Sequence, residues 1–318
     1  MVNIGYAISS EEHLPNDIVQ HARRAEEIGF EYALISDHFH PWVDKQGHSP
    51  FVWSVIGGIA HATQKLRLGT GVTCPMIRTH PAIIAQAAAT SAAMMPGRFF
   101  LGLGTGENLN EHILGDRWPG YEERIMMFEE AVEVIRLLWQ GEMTTFFGDF
   151  YTVENARIYT LPDELPPIMI AASGEKSATR AGEIGDGLIT TAPDKQVVQN
   201  FNKASGGDKP RYGKLTVCCH PDAAQARKMA LEIWPNGGLH GELSQELPTP
   251  AHFEQASKNV REEDVAESVL CGNDVEQHKQ KIQEFIDAGI ENVYVHQVGP
   301  DQDEFFRFYE SKILPEFM

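Results

Sequence analysis

The sequence predicts an α/β protein built as a (β/α)8 TIM barrel, and three observations support this fold class. Short apolar runs occur eight times along the 318 residues, and stretches with helical periodicity lie between them. The runs are apolar throughout, which is typical of parallel strands covered on both faces. The length suits one large barrel. We therefore expect a single (β/α)8 domain over residues 1–318.

Eight apolar runs are predicted to be the barrel strands. They are Ile4 to Ile8, Tyr32 to Ser36, Leu66 to Val72, Phe99 to Leu103, Ile168 to Ala172, Gly187 to Thr191, Leu215 to Cys219 and Asn292 to Val298. Asn16 is the expected N-cap of the first helix, and Gly29 should end that helix. Pro81 should open an alanine-rich helix, because proline is tolerated in a first turn.

Two insertions interrupt the strand–helix rhythm. Aromatic residues around Gly148-Asp149 predict a hairpin near residues 141–163, after strand four. An irregular excursion is expected near residues 235–272, after strand seven, where the chain looks like an active-site loop. A polar, glycine-containing loop is expected over residues 202–213.

Composition restricts the partners of the protein. The chain has 26 basic and 45 acidic side chains and a net charge of −19, which argues against nucleic acid or an anionic membrane as a partner. The N-terminus lacks the features of a secretory signal, and no window has eighteen uninterrupted apolar residues. We expect a cytoplasmic protein with reduced cysteines that acts on a small molecule.

The functional residues of such a barrel lie at the C-terminal ends of its strands, so the residues after each apolar run form the candidate set. The set contains acids, imidazoles and hydroxyls but no nucleophile with an adjacent base. Its members are Glu11, Asp37, His38, Trp42, Cys74, Glu107, Asn110, Ser173, Gly174, Thr191, His220 and His296.

Two motifs within this set suggest other chemistry. His38 and His40 have a spacing compatible with a metal hydrolase, but strands five and six end in serine and threonine and supply no further ligand. We therefore expect no metal. The motif Gly102-x-Gly104-x-Gly106 follows a strand but lacks the spacing of a dinucleotide-binding fingerprint. Its glycines allow close backbone approach to a ligand, and Glu107 follows immediately.

The motifs taken together resemble the coenzyme F420-dependent oxidoreductases of the luciferase-like superfamily, in particular dehydrogenases of glucose 6-phosphate and of secondary alcohols. The resemblance covers residues 3–195 and 273–316. It rests on Ser36-Asp37-His38-Phe39-His40-Pro41-Trp42, Leu68-Gly69-Thr70-Gly71-Val72, Gly102-Leu103-Gly104-Thr105-Gly106-Glu107 with Asn110, and Ala171-Ala172-Ser173-Gly174.

The resemblance implies a luciferase-like barrel that holds F420 with its deazaflavin ring at the bottom of the pocket. The Gly71-Val72 peptide bond would be cis and would lie behind the ring. Thr105, Gly106, Ser173 and Gly174 would approach the ribityl and phosphate groups. The implied cofactor-binding residues are Asp37, Gly71, Val72, Cys74, Thr105, Gly106, Asn110, Ala172, Ser173 and Gly174.

The implied reaction is hydride transfer between a carbinol or carbonyl carbon and C5 of F420, with catalytic residues His38, Glu107, Trp42 and Glu11. His38 suits the base for the hydroxyl proton because its reference pKa lies near neutrality. Glu107 would transfer the proton at N1 of the ring, and Trp42 would pack against the substrate. Glu11 is a second candidate acid or base.

The sequence departs from the glucose-6-phosphate enzymes where they bind phosphate. Their two lysines and one arginine correspond here to positions near Asp194 or Lys195, at Ser244 and near Ser268. Of these residues, only Lys195 could bind phosphate. The predicted substrate residues are Thr191 and Lys195. An uncharged alcohol, a carbonyl compound or a sugar derivative is expected as substrate.

The sequence leaves other functions open. The alternatives are an FMN-dependent monooxygenase on the same barrel, a metal hydrolase and a non-catalytic flavin-type binding protein. The Asp37-His38 pair and Glu107 favour F420 over FMN. The family resemblance also implies a homodimer.

Overall fold

A computed structural model describes residues 2–317, in which eight parallel strands close into a barrel. The predicted (β/α)8 fold is confirmed. In chain order, all the strands are β1 (Asn3–Ile8), β2 (Tyr32–Ile35), β3 (Arg67–Thr70), β4 (Phe99–Leu103), β5 (Thr144–Phe147), β6 (Thr152–Ala156), β7 (Ile168–Ala171), β8 (Gly187–Thr190), β9 (Arg211–Cys218), β10 (Val269–Cys271) and β11 (Asn292–Gln297).

Helices surround this barrel. They are α1 (Pro15–Ile28), α2 (Val52–Ala62), α3 (Pro81–Met94), α4 (Asn108–Glu111), α5 (Tyr121–Leu138), α6 (Glu175–Ile184), α7 (Lys195–Ser205), α8 (Ala223–Ile233), α9 (Leu243–Glu246), α10 (Pro250–Ala256), α11 (Glu262–Ala266), α12 (Val275–Asp287) and α13 (Gln302–Phe308). Gly29 ends α1 in the left-handed conformation, as expected. The predicted N-cap Asn16 is wrong, because Pro15 already occupies the first turn and Leu14 precedes it.

The order of the barrel strands is β1, β2, β3, β4, β7, β8, β9 and β11, and β11 pairs again with β1. β5 and β6 form the antiparallel hairpin predicted near residues 141–163. The region 235–272 is more regular than expected, since it holds α9, α10, α11 and β10. The loop predicted over residues 202–213 is shorter than expected and covers residues 206–210, because α7 extends to Ser205 and β9 begins at Arg211.

Strand β10 separates the upper parts of β8 and β9. Arg211 to Gly213 of β9 pair with β8, whereas Thr216 to Cys218 pair with β10. On its other side β9 stays paired with β11 along Tyr212 to Val217. The barrel therefore widens at its C-terminal end between β8 and β9.

Large side chains fill the lower barrel interior. Tyr32, Phe100 and Tyr212 pack together there, with ring centroids 5.2 to 5.3 Å apart for the two pairs that Tyr212 makes. Gly5 and Gly69 make room for the Tyr32 and Phe100 rings, because a Cβ at either position would overlap the ring. The interior is thus open only toward the C-terminal ends of the strands. Among residues 2–317, no helix combines the length and apolar character needed to span a bilayer.

Candidate active site

A cavity of about 360 Å³ lies at the C-terminal mouth of the barrel. Most residues predicted for the site line this cavity, although their roles remain predictions. They are Glu11, Asp37, His38, Trp42, Gly71, Val72, Cys74, Thr105, Gly106, Glu107, Asn110, Ala172, Ser173 and Thr191. The loops after six different strands therefore converge on one space.

The polar centre of the cavity is an imidazole between two carboxylates. His38 Nε2 lies 3.4 Å from Glu11 Oε1 and 3.4 Å from Glu107 Oε2. His38 Nδ1 lies 3.2 Å from the carbonyl oxygen of His40, which can only accept a hydrogen bond. The proton of the neutral ring is therefore on Nδ1, and the Nε2 lone pair faces the two acids.

Neighbouring groups give the two acids different titration properties. Burial raises the pKa of Glu107, and the attraction of His38 only partly offsets this effect. Burial also raises the pKa of Glu11, but His38 and the hydroxyls of Ser36 and Ser9 outweigh it and leave a lowered pKa. Two carboxyl groups whose pKa values are pushed apart can act as acid and base in one site.

Short hydrogen bonds hold both acids in place. Ser36 and Ser9 donate to Glu11 Oε2 at 2.7 and 2.9 Å. Asn110 Nδ2 donates to Glu107 Oε2 at 2.9 Å, and Asn110 Oδ1 accepts from the backbone N–H groups of Phe39 and His40. Asn110 thus ties the glutamate to the loop that carries His38.

The Trp42 indole packs against the His38 imidazole. The Trp42 and His38 ring centroids are 5.0 Å apart, and the other side of the indole packs against Phe253 at 5.1 Å. Phe253 belongs to α10, so the 235–272 segment supports this part of the site. The indole is consequently fixed as a wall of the cavity.

Asp37 takes part in a buried charge network. Arg78 Nη2 donates to Asp37 Oδ1 at 2.9 Å, and Thr73 donates to Asp37 Oδ2 at 2.8 Å. Arg78 also contacts Glu111 at 3.4 Å. Both oxygens of Asp37 are engaged by the protein, so its contribution to the cavity is mainly to hold the β2 and β3 loops together.

The glycine residues around the cavity allow close backbone approach. The Gly71–Val72 peptide bond is cis, as the family resemblance implies. Gly106 has a φ of 73°, and a Cβ there would overlap Cys74 Sγ. A glycine is needed at this position for Thr105 and Glu107 to reach the cavity together.

Three of the candidate residues, Lys195, Gly174 and His220, do not line the cavity. Lys195 begins α7 and is exposed outside the cavity, so the structure does not place it with the other candidates, and its role as a substrate residue stays a prediction. Gly174 lies just beyond the cavity wall, and its N–H donates to Ser177 Oγ at 3.2 Å. Its role as a backbone donor to the cofactor stays a prediction, and its N–H is already engaged by Ser177.

The sequence analysis missed three basic residues near the cavity, which are Arg78, Arg180 and Lys214. Lys214 lines it from β9, and Arg78 lies behind it in the Asp37 network. Lys214 was missed because the seventh strand was predicted to start at Leu215. Alternation along β9 from Tyr212, whose ring lies inside the barrel, would have placed Lys214 inside as well.

A family model described as "Luciferase-like monooxygenase" matches residues 3–292. The chain belongs to this family. Among other luciferase-like proteins, an F420-dependent glucose-6-phosphate dehydrogenase from Microbacterium testaceum is 34% identical over 99% of this chain and 97% of its own length. An F420-dependent hydroxymycolic acid dehydrogenase from Mycobacterium tuberculosis is 38% identical over 98% of this chain and 88% of its own length.

The solved structures include a luciferase-like relative with nearly the same fold. An F420-dependent secondary alcohol dehydrogenase, in complex with an F420–acetone adduct, superposes with a TM-score of 0.91 and 30% identity. The match covers 98% of each chain. Together with the family match, it confirms the resemblance found in the sequence motifs.

Proposed function

We propose that this luciferase-like protein is a coenzyme F420-dependent oxidoreductase that interconverts a carbinol and a carbonyl carbon of a small substrate. The observation that carries the proposal is the Glu11–His38–Glu107 cluster inside the cavity. The F420-dependent dehydrogenases that the chain resembles support the cofactor assignment. When bound, F420 would supply the hydride acceptor or donor at C5.

The residues around the cavity fit such a cofactor. Leu34, Val72 and Ile170 give one part of the cavity an apolar surface, which suits a flat ring system. Ser173 and Ser177 line the cavity beside the N-terminus of α6, where hydroxyls and the helix dipole favour an anionic group. These residues, with Gly71 and Thr105, would hold the cofactor.

His38 is proposed to accept the substrate hydroxyl proton. Its Nε2 carries the lone pair, because Nδ1 faces the His40 carbonyl. When Nε2 takes up a proton, the imidazolium lies 3.4 Å from Glu11, whose lowered pKa keeps it ionised. Glu11 therefore stabilises the charge that forms on His38 and orients the ring.

Glu107, which faces the same His38 nitrogen as Glu11, is proposed to act as the proton donor and acceptor. Its raised pKa favours the protonated carboxyl more than an ordinary glutamate would. Asn110 fixes the carboxyl group at 2.9 Å. The pKa values of Glu11 and Glu107 are thus shifted in opposite directions beside one imidazole nitrogen.

Glucose 6-phosphate is expected to be a poor substrate. Among the positions that correspond to phosphate-binding residues, Lys195 lies outside the cavity, and Ser268 donates to the Gly237 carbonyl at 2.8 Å. Of these positions only Ser244 lines the cavity. A dianion normally needs several charge-assisted donors.

The direct test is a panel of alcohols, ketones and sugar phosphates assayed with F420 and with reduced F420. Saturable turnover of alcohols or ketones, with little glucose-6-phosphate activity, supports the proposal. Efficient turnover of glucose 6-phosphate contradicts the substrate prediction. The absence of turnover with every alcohol and ketone contradicts the reaction class.

An FMN-dependent monooxygenase is the second candidate, because the matching family is described by that activity. A fluorescence titration with F420 and FMN separates the two. A metal hydrolase is less well supported: His40 Nδ1 hydrogen-bonds to the Leu109 carbonyl, and no group of three or more potential metal ligands is found within residues 2–317.

Cellular location and assembly stay predictions. We propose a cytoplasmic enzyme that forms a homodimer. Size-exclusion chromatography with light scattering tests the dimer, and a mass near twice 35.4 kDa is the expected result.

A further inference from the structure

Lys214 is a cationic side chain in the barrel interior that the proposed reaction does not yet use. It follows Tyr212 by two residues on β9, so both side chains are on the inner face of the barrel, and Lys214 lines the cavity. It lies where β9 leaves β8 and before it pairs with β10. The widening of the barrel there provides the space for the side chain.

The ammonium group of Lys214 lacks a partner within the described part of the chain. It forms no hydrogen bond or ion pair with residues 2–317, and its contact is with the face of Trp234, 5.8 Å from the ring centroid. Burial lowers the pKa of Lys214, although Glu11 and Glu107 oppose this effect. Lys214 is half-buried, and an ammonium that faces a cavity without an acceptor on the protein can bind an acceptor on a ligand.

The other basic side chain on the cavity wall is already paired. Arg180 contacts Glu129 at 3.2 Å and Glu183 at 2.8 Å. Lys214 therefore differs from Arg180 because all its donors are available to a molecule in the cavity. The difference favours a ligand-binding role for Lys214.

The position of Lys214 in the barrel separates it from the proposed cofactor wall. In the closed strand order, β9 lies opposite β3, which leads into the Gly71–Val72 bond. Lys214 shares its part of the cavity with Trp234, and the carboxylates of Glu11, Glu107 and Glu12 act on its charge. A substrate whose carbinol carbon lies at His38 could extend a second polar group toward this side.

We propose that Lys214 determines substrate specificity by donating a hydrogen bond to a second oxygen of the substrate, either a carboxylate or a hydroxyl. The preferred substrates are then hydroxy acids, keto acids or diols rather than simple secondary alcohols. This inference rests on the proposed oxidoreductase function. A charge-assisted hydrogen bond of this kind corresponds to roughly 10- to 100-fold in kcat/KM.

Three alcohols of equal carbon count test the inference. Butan-2-ol, butane-1,3-diol and 3-hydroxybutanoate share the secondary carbinol and differ in the terminal group, which is a methyl, a hydroxymethyl or a carboxylate. For the unaltered protein, we expect kcat/KM for the diol or the hydroxy acid to exceed that for butan-2-ol by about tenfold or more. Whichever of these two substrates has the higher kcat/KM shows whether the second oxygen belongs to a hydroxyl or to a carboxylate.

Substitution of the lysine should remove this preference. Lys214→Met keeps an unbranched side chain that is one atom shorter and uncharged. In this variant, the ratio of kcat/KM for the diol or the hydroxy acid to kcat/KM for butan-2-ol should fall to about one. Lys195→Met is the matched control, because Lys195 is exposed outside the cavity, and its ratio should stay unchanged. Circular dichroism and the melting temperature confirm that both variants are folded.

A cofactor-free measurement complements the kinetics. Trp42 and Trp234 line the cavity, so their fluorescence should change when 3-hydroxybutanoate or the diol binds. The inference predicts that the dissociation constant rises about tenfold or more in Lys214→Met. An unchanged dissociation constant would overturn it.

The outcomes separate the inference from the proposed function. Equal efficiency with all three alcohols, or a uniform loss in Lys214→Met together with a shifted pH profile, overturns the specificity role. A uniform loss together with a shifted pH profile would mean that Lys214 acts through Glu11 or Glu107. Failure of every alcohol and ketone to react with F420 contradicts the proposed function itself, and the inference with it.

Discussion

The two sides of the cavity differ in how their charges are compensated. On the β1, β2 and β4 side, Glu11, His38 and Glu107 contact one another and are held by hydroxyl and amide groups. On the β9 side, Lys214 faces the cavity without a partner of its own within the described residues. The groups proposed for proton transfer already contact one another, whereas Lys214 is proposed to gain its partner only when a substrate binds.

This contrast indicates different consequences of mutation on the two sides. A change on the acidic side should affect every substrate, because it alters the proton-transfer groups. A change at Lys214 should affect substrates selectively. The following predictions test this difference, from the largest expected effect to the smallest.

Replacement of His38 by alanine should give the largest effect on catalysis. We expect kcat to fall by about 10²- to 10⁴-fold for all alcohols, since the base for the hydroxyl proton is lost. The affinity for F420, measured by fluorescence, should stay within a few fold. His220→Ala is the control, because His220 lies outside the cavity, and it should keep its kcat. A His38→Ala variant with unaltered kcat would exclude His38 as the base.

Replacement of Arg78 by methionine should have the largest effect on stability. The substitution leaves Asp37 and Glu111 buried without their cation, which costs about 3 to 5 kcal/mol. The exposed Arg23–Glu27 pair offers a control, and Arg23→Met should cost less than about 1 kcal/mol. Urea unfolding measures both. Equal free energies of unfolding for the two variants would contradict the role of the buried network.

The two glutamates should have opposite effects on the pH profile of kcat. If protonated Glu107 is required, activity is lost as the pH rises through its raised pKa, and Glu107→Gln should remove this limb and lower kcat by about 10²-fold. If ionised Glu11 is required, activity is lost as the pH falls through its lowered pKa, and Glu11→Gln should remove that limb instead. Identical profiles for both variants would contradict separate roles.

The smallest effect is expected for Lys195. Its side chain is exposed at the start of α7, so Lys195→Met should change kcat/KM for alcohols by less than about twofold. Steady-state kinetics measures this difference. A tenfold loss would restore Lys195 as a substrate residue and weaken the contrast between the two lysines.

The fold and the side of the cavity that carries Glu11, His38 and Glu107 could be predicted from the sequence, because each depends on short stretches of contiguous residues. Apolar runs mark the strands, and short motifs directly after them carry Asp37, His38, Trp42 and Glu107. Local alternation also determines which side of a strand faces inward. These features depend on neighbours in sequence.

The β9 side could not be predicted in the same way. Lys214 faces inward because it alternates with Tyr212 on β9, but the cavity around it depends on β10, which pairs with the end of β9 and comes from a segment more than 50 residues further along the chain. Lys195 is basic and follows a strand, yet the start of α7 directs it to the surface. Arg78 pairs with Asp37 across 41 residues of sequence, a contact that no local pattern shows.

The most direct test of the proposed reaction is hydride transfer traced with deuterium. Butan-2-ol, butane-1,3-diol and 3-hydroxybutanoate, each deuterated at the secondary carbinol carbon, would be incubated with the protein and F420, and the reduced cofactor examined by mass spectrometry. We predict one deuterium per reduced F420 with the alcohols that react, and none in the absence of the protein. Reduced F420 without deuterium, or no reduction with any of the three, would contradict the account.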